Sequence, residues 1–338
     1  MVAAPAFAQE AAIPSRPIVI AHRGASGERP EHTLASYELA IEQGADFIEP
    51  DLVMTKDGQL VARHENDITD TTDVASRPEF RARRTSKVID STKHSGWFTE
   101  DFTLAELRTL RAKERLPLLR RANTSYDGQF AVPTLREVIA LAKSASAKTG
   151  RTIGVYPETK HPTYFASIGL AMEAALVAEL KAAGWDRADA PVFIQSFEVN
   201  NLKALKQMTR VPLIQLIDAD GAPADGAQPS YAAMITPEGL KSVAAYAAGI
   251  GPAKAMVVKG DGTVTPLVDD AHAAGLKVHP WTFRAENFFL PSGLRNGINP
   301  AGHGRLGEEI SRHLAAGVDG FFTDFPYQGV EARDRHAR

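Results

Sequence analysis

Two histidines, three carboxylates, an arginine and a lysine stand where short apolar runs of this chain stop. His22, followed by Arg23 and Gly24, closes the run 17–21, and Glu49 and Asp51 flank Pro50 at the end of a second run. His64 closes a third run, and Glu158 closes a fourth, two residues before Lys160. Carboxylates gathered beside imidazoles can share protons as an acid/base pair or bind a hard divalent cation through oxygen. The third acid favours the cation, because three carboxylates around one point repel strongly unless positive charge sits between them. Arg23 and Lys160 add cationic groups at the same level, and a divalent ion with Arg and Lys makes a site for a phosphoryl group. His22 and His64 then supply proton transfer near neutral pH, one taking a proton and the other giving it.

Such residues meet only if the strand ends meet. Apolar runs that read as strands (18–22, 46–51, 152–158, 192–196, 211–217, 255–259, 276–281 and 320–323) alternate with helical periodicity over 33–43, 135–147, 164–183, 198–208, 237–248, 264–274 and 306–316. Gly44, Gly184, Gly249, Gly275 and Gly317 read as helix stops. Eight βα units favour a closed parallel barrel, whose strand ends line one rim. The stretch 66–132 breaks the rhythm. It is polar, and within it Thr103 and Glu106 form a capping-box pattern before an apolar run. It is too long for an ordinary loop and reads as an insertion on the rim, with Trp97, Phe98 and Phe102 anchoring its small core. The expected architecture is an α/β distorted (β/α)8 TIM barrel with a small insertion after the second strand, over residues 16–330, followed by a C-terminal tail, 331–338. The Asp57-Gly58 pair predicts a two-residue hairpin turn. With Lys56 paired to Gln59, Asp51 falls opposite His64, and both share a face with Glu49, with opposed Cβ atoms roughly 5 Å apart.

Composition narrows the function further. The 338 residues are 44% hydrophobic and 23% charged with a net charge of −3, so nothing draws the chain to nucleic acid or an anionic bilayer. The absence of cysteine excludes thiol catalysis, disulfides and thiolate metal sites, and fits an exported protein. Ala6-Phe7-Ala8 is a small-x-small pattern like the end of a secretory signal, so residues 1–15 read as a signal remnant or disordered tail and the location as periplasmic or secreted. No apolar stretch is long enough to span a membrane.

Taken in order, His22-Arg23-Gly24, Pro30-Glu31-His32-Thr33, Ile48-Glu49-Pro50-Asp51-Leu52, Thr55-Lys56-Asp57-Gly58, His64-Glu65, Val132-Pro133-Thr134-Leu135, Tyr156-Pro157-Glu158-Thr159-Lys160, Gln195-Ser196-Phe197 and Phe322-Thr323-Asp324-Phe325-Pro326 resemble the motifs of glycerophosphodiester phosphodiesterases, most nearly the exported bacterial branch. The resemblance implies a distorted eight-stranded barrel that hydrolyses glycerophosphodiesters to sn-glycerol 3-phosphate and an alcohol. It makes His22 and His64 the acid/base pair and Glu49, Asp51 and Glu158 the ligands of one Ca2+ or Mg2+. Arg23 and Lys160 would hold the phosphate, with Trp281 and Phe197 against the glycerol. The chain departs from the pattern at His32 and Glu65, where many members have Asn and Asp. Three other functions share parts of this logic. They are a lysophospholipase D-type or phosphatidylinositol-cleaving barrel, a catalytically silent exported binding protein, and a metal-dependent aldolase or sugar isomerase. Occupied catalytic positions argue against the second, and the paired histidines without a Schiff-base lysine against the third. The partner implied is a small-molecule diester, and the sequence fixes no oligomeric state.

Overall fold

The structure, a computed structural model, describes residues 16–337. The residues read as a signal remnant, 1–15, lie outside this range. Among the described residues, β1 (Ile18–His22) opens a parallel barrel. The second stave is split at Pro50 into β2 (Phe47–Glu49) and β3 (Asp51–Met54), from which β4 (Leu60–Ala62) turns back antiparallel. The insertion carries its own hairpin, β5 (Thr85–Ile89) with β6 (Thr92–Gly96). The third stave is split at Tyr156-Pro157 into β7 (Gly154–Val155) and β8 (Glu158–Thr159). Then follow β9 (Ile194–Ser196), β10 (Leu213–Ile217), β11 (Gly249–Pro252), β12 (Lys277–Val278) and β13 (Gly320–Thr323). The circle closes where the Asp319 and Phe322 amides donate to the Val278 and Pro280 carbonyls at 3.0 and 3.1 Å.

Proline has no amide hydrogen to give to a ladder, so both splits fall at proline. The backbone bonds carry on across them. Tyr156 N–H donates to Ile48 O at 2.9 Å, Glu158 N–H to Pro50 O at 2.9 Å and Lys160 N–H to Leu52 O at 3.1 Å. The splits therefore distort the barrel without opening it. Its interior is filled below the rim by Ile18, Ile20, Phe47, Tyr156, Phe193, Ile214 and Phe322, all buried. That apolar plug forms the floor of whatever the rim holds. A larger apolar layer lies between staves and helices, and some helix starts carry side-chain caps. Thr33 accepts from Ser36 N–H at the start of helix Leu34–Glu42, and Thr134 and Glu137 form a capping box on helix Leu135–Thr149.

The structure corrects several expectations. The strand placed at 255–259 is instead β11, Gly249–Pro252, and residues 254–256 form a short 3-10 turn. Two glycines hid this strand, and packing explains them: a Cβ at Gly249 would sit 2.8 Å from the Lys277 carbonyl oxygen, and one at Gly251 2.6 Å from the Leu216 side chain. Gly249 is thus a strand residue and not a helix stop. The helix expected over 164–183 is two, Pro162–Ser167 and Glu173–Ala182, separated at Gly169 with φ +79°. The C-terminal tail is folded in large part, since helix Pro326–His336 packs on the barrel and its buried Arg333 Nη1 donates to Asp46 Oδ2 at 2.6 Å.

The insertion's aromatics Trp97, Phe98 and Phe102 are buried, but Trp97 and Phe102 join the large apolar layer of the barrel instead of forming a separate small core. The Thr103–Glu106 capping box forms. Replacing Gly249 with Ala should cost about 1–3 kcal/mol, because the methyl group meets backbone that cannot rotate away. The denaturant midpoint measures this, and an unchanged midpoint would show that β11 and β12 can part freely.

Candidate functional site

The register of the staves assembles the site. His22 ends β1 beside Glu49, the end of β2; Asp51 starts β3 beside Glu158, the start of β8; Glu158 in turn neighbours Gln195 on β9. Adjacent strands lie about 4.8 Å apart, so one short arc of rim presents an imidazole, three carboxylates and an amide. Glu49, Asp51 and Glu158 are buried and offer oxygens within 4.8 Å of one another, a trio that could hold a metal ion.

Cationic and neutral donors surround the trio. Arg23 N–H donates to Glu49 Oε2 at 2.8 Å, and its guanidinium lies 3.2 Å from Asp51 Oδ2 and 3.1 Å from Glu31 Oε2. Arg23 (φ +61°) and Gly24 (φ +88°) are both left-handed, and a Cβ at Gly24 would strike Ser36. The tight turn after β1 thereby sends the arginine back across the rim. Lys160, two residues beyond Glu158 and on the same face, pairs with it at 3.0 Å. His32 puts Nε2 2.9 Å from Asp51 Oδ2 and Nδ1 2.8 Å from the Tyr37 hydroxyl.

The two imidazoles are each oriented by a carboxylate. His22 Nδ1 lies 2.6 Å from Asp324 Oδ1, and His64 Nδ1 lies 3.0 Å from Glu65 Oε1. With Nδ1 engaged, Nε2 remains available in both rings. His64 arrives by a different route from the one expected. The loop after β3 holds three residues, Lys56 to Gly58, with Gly58 at φ +75°, Gly58 N–H bonded to Thr55 O and Thr55 N–H to Gln59 O. That is the bulged hairpin and not the two-residue one. Asp51 therefore opposes Arg63, whose N–H donates to Asp51 O at 2.9 Å. The pairing ends at Ala62 and the chain bends at His64, which returns that side chain to the cavity.

This cavity has a volume of 360 Å³. His22, Arg23, Glu49, His64, Glu158 and Lys160 line it together with Phe197 and Trp281, whose rings meet edge to face at 5.7 Å. Asp51 lies behind this lining, against Arg23 and His32. The sequence reading assigned nothing to Asp324, Glu31, Arg115, Arg120 or Arg284. Asp324 follows β13, so the strand-end rule would have found it. Its Oδ2 accepts from Arg284 Nε at 3.0 Å and from Arg120, which also holds Glu286 at 2.6 Å. Arg115 and Arg120 come from the insertion, and no local signal marks them. His161, assigned no partner from sequence, bridges Glu65 and Asp90 at 2.8 and 2.5 Å. His279 is buried against the Tyr156 hydroxyl at 2.8 Å and belongs to the floor.

Electrostatics follow from burial. Burial, with Asp51 and Glu158 nearby, pushes the Glu49 carboxyl well above the usual range, and burial with Asp51 pushes Glu158 up to about 8 against the pull of Lys160. Asp51 goes the other way, because Arg23 and His32 overcome its burial. Burial and Arg23 lower His22 to about 4 despite Asp324, and burial, Arg23 and Lys160 lower His64 to about 3. Both rings are neutral at pH 7 and free to accept a proton. Carboxylates that resist joint ionisation call for a cation, and an all-oxygen donor set fits a hard divalent one. Gln195 Oε1, buried and without a hydrogen-bond partner, is a further oxygen at this place.

A parallel barrel whose rim joins an acidic trio to two oriented imidazoles and to phosphate-sized cationic groups defines a hydrolase of phosphate esters. The model of the Glycerophosphoryl diester phosphodiesterase family matches residues 22–328. A glycerophosphodiester phosphodiesterase of Arabidopsis thaliana, GDPD6, is 38% identical over 92% of this chain and 84% of its own length. The glycerophosphodiester phosphodiesterase of Haemophilus influenzae is 33% identical over 93% and 89%. Among solved structures, an Oleispira antarctica phosphodiesterase in complex with the product sn-glycerol-3-phosphate superposes with a TM-score of 0.64 at 24% identity, covering 94% of this chain and 97% of that one. The chain belongs to the glycerophosphodiester phosphodiesterase family.

The raised Glu158 sets a pH signature for protein stripped of metal. Its folded value, about 8, exceeds the unfolded one, about 4.3. The associated stability is fully present below the unfolded value and is lost as pH rises through the folded one. In chelated protein the Glu158 contribution should fall as the pH rises from 5 to 8, offset below about pH 6.5 by His22 and His64, whose lowered values add stability as the pH rises there, and Ca2+ should oppose the fall. Glu158→Gln should make the slope above pH 6.5 shallower, with Glu49 still contributing, and should weaken the Ca2+ effect. Melting curves with EDTA and with Ca2+ measure both, and an unaltered slope in the variant would assign the titration elsewhere.

Proposed function

We propose that this chain hydrolyses glycerophosphodiesters to sn-glycerol 3-phosphate and an alcohol, with His22 and His64 as the acid/base pair. Glu49, Asp51 and Glu158 hold one Ca2+ or Mg2+, which when bound neutralises charge on the phosphoryl oxygens. The observation that carries this reading is the acidic trio beside His22 and His64, whose rings reach the same cavity and whose Nδ1 atoms are already taken by Asp324 and Glu65. The product complex of the Oleispira antarctica enzyme supports the same substrate class.

Each side chain then has a task. Arg23 and Lys160 bind the phosphate, held in place by Glu31, Asp51 and Glu158. Trp281 and Phe197 wall the glycerol, with the indole fixed by its N–H bond to Gly251 O at 2.8 Å. One neutral imidazole takes the proton of the attacking oxygen, and the partnering carboxylate on its far side stabilises the imidazolium so formed. The other acts as the acid: with the anionic phosphate beside it, that ring takes up a proton from solvent and passes it to the departing alkoxide. We also propose a periplasmic or secreted location, on the Ala6-Phe7-Ala8 pattern and the cysteine-free sequence.

His22→Ala and His64→Ala should each lower kcat by about 10²–10⁴ and leave the circular dichroism spectrum and melting temperature close to wild type. Coupled detection of glycerol 3-phosphate released from glycerophosphocholine measures this. Near-normal turnover in either variant would remove that histidine from the reaction.

A further inference from the structure

His161 has no task in the proposed reaction, yet both of its ring nitrogens are engaged. Nδ1 lies 2.5 Å from Asp90 Oδ2, and Nε2 lies 2.8 Å from Glu65 Oε2. An ionised carboxylate only accepts hydrogen bonds, and a neutral imidazole has a single N–H to give. A ring held between two carboxylates is therefore an imidazolium. The neighbouring charges agree. Lys160 is the cation beside the ring, while Glu198, after β9, and Asp218, after β10, line the same recess as Asp90 and His161. Burial works against the charged ring, but the hydrogen bonds to Asp90 and Glu65 prevail and raise His161 to about 9.

Local backbone brings these groups together. His161 directly precedes helix Pro162–Ser167 and stands at φ +48°, a left-handed conformation that residues with a Cβ adopt at a cost. Asp90 and Ser91 form the two-residue turn between β5 and β6, and both are left-handed too, at φ +46° and +65°. That tight turn suits the twist of a hairpin, and it delivers the insertion's carboxylate to the ring. Glu65 then divides its oxygens between two rings. Oε2 meets His161, and Oε1 lies 3.0 Å from His64 Nδ1. A chain of contacts, Asp90 to His161 to Glu65 to His64, thus runs from the insertion's hairpin turn to the rim. The Glu65 side chain is 40% exposed, so without a second anchor it is free to turn into water.

We propose that His161 is a positioning residue for His64: clamped by Asp90, its imidazolium pins Glu65, and the pinned carboxylate holds His64 in the tautomer that offers Nε2 to the cavity. The inference rests on the hydrolytic reading above, which gives His64 its part in proton transfer. A neutral imidazole has two tautomers, and the partner of one nitrogen decides which of them is present. Glu65 at Nδ1 selects the form with its proton there, so that Nε2 keeps its lone pair. The insertion's hairpin thereby joins the acid/base apparatus without touching substrate.

Nitrogen NMR of histidine-labelled protein with Ca2+, near pH 7, tests the bridge directly. His161 should carry protons on both ring nitrogens, and His64 a proton on Nδ1 alone. A neutral His161 ring in the wild type would overturn the proposal. Two variants respect the left-handed backbone. His161→Asn tolerates that conformation but is too short to span both carboxylates, and Asp90→Gly keeps the hairpin turn while removing the clamp. In His161→Asn the His64 ring should become a mixture of tautomers. Its kcat for glycerophosphocholine should fall about tenfold or more with KM little changed. Asp90→Gly should move both readouts the same way by less. A merely structural role would lower kcat and melting temperature together and leave the His64 tautomer as it was, and that result overturns the proposal. Should His161→Asn fail to fold, Asp90→Gly decides, and an unaltered His64 ring there is equally fatal. If the wild type turns over no diester, the hydrolytic reading falls, and the pinning of His64 stands only if its tautomer shifts in the variants.

Discussion

Mutual repulsion among Glu49, Asp51 and Glu158 is the constraint around which this rim is built. Three acids whose oxygens lie within 4.8 Å of one another, on an apolar barrel floor, cannot all ionise unaided. The surrounding groups can be read as answers to that problem. Arg23 reaches Asp51 and gives its backbone amide to Glu49, Lys160 leans on Glu158, and His32 braces Asp51. These contacts leave Glu49 and Glu158 with carboxyls that still hold their protons too tightly, a demand that a divalent cation held by the trio would meet. Burial, helped by the same positive surroundings, keeps both imidazoles neutral, which is the state a proton acceptor needs.

The fold serves this arrangement through stiffness. Carboxylates on neighbouring staves keep their separation because backbone bonds fix the staves, and the splits at Pro50 and Tyr156-Pro157 shift the rim without breaking those bonds. The insertion contributes from above. Arg120 reaches from it to Asp324 and Glu286, and Arg115 reaches to Glu31, so the insertion is tied by ion pairs to the carboxylates that hold His22 and Arg23. Asp324 has two duties, since it orients His22 and anchors Arg120 and Arg284. Arg284 and Arg115 line the same cavity as His22.

Strand ends proved to be legible wherever the apolar run was strong. β1 and β13 match their expected bounds, and His22, Glu49, Asp51 and Glu158 are found at the rim. Legibility failed where packing replaces side-chain signal. β11 is Gly-Ile-Gly-Pro, and its glycines reflect the close approach of Lys277 and Leu216, which no local pattern announces. The hairpin register failed because Asp-Gly suits both a two-residue turn and a bulged three-residue one, and a single residue reverses which side chain opposes Asp51.

The sequence by itself determined the chemistry on offer: oxygen ligands without thiols, paired imidazoles, cations for phosphate, and eight βα units to carry them. These depend on residue type and periodicity, which are local properties. Tertiary structure alone decided which carboxylate pairs with which imidazole, that the insertion's arginines reach the rim, and that its hairpin turn meets His161. His64 takes the carboxylate next to it in the chain, but the other outcomes turn on where distant segments come to rest, as with His22 and Asp324, and no spacing along the chain encodes such a meeting.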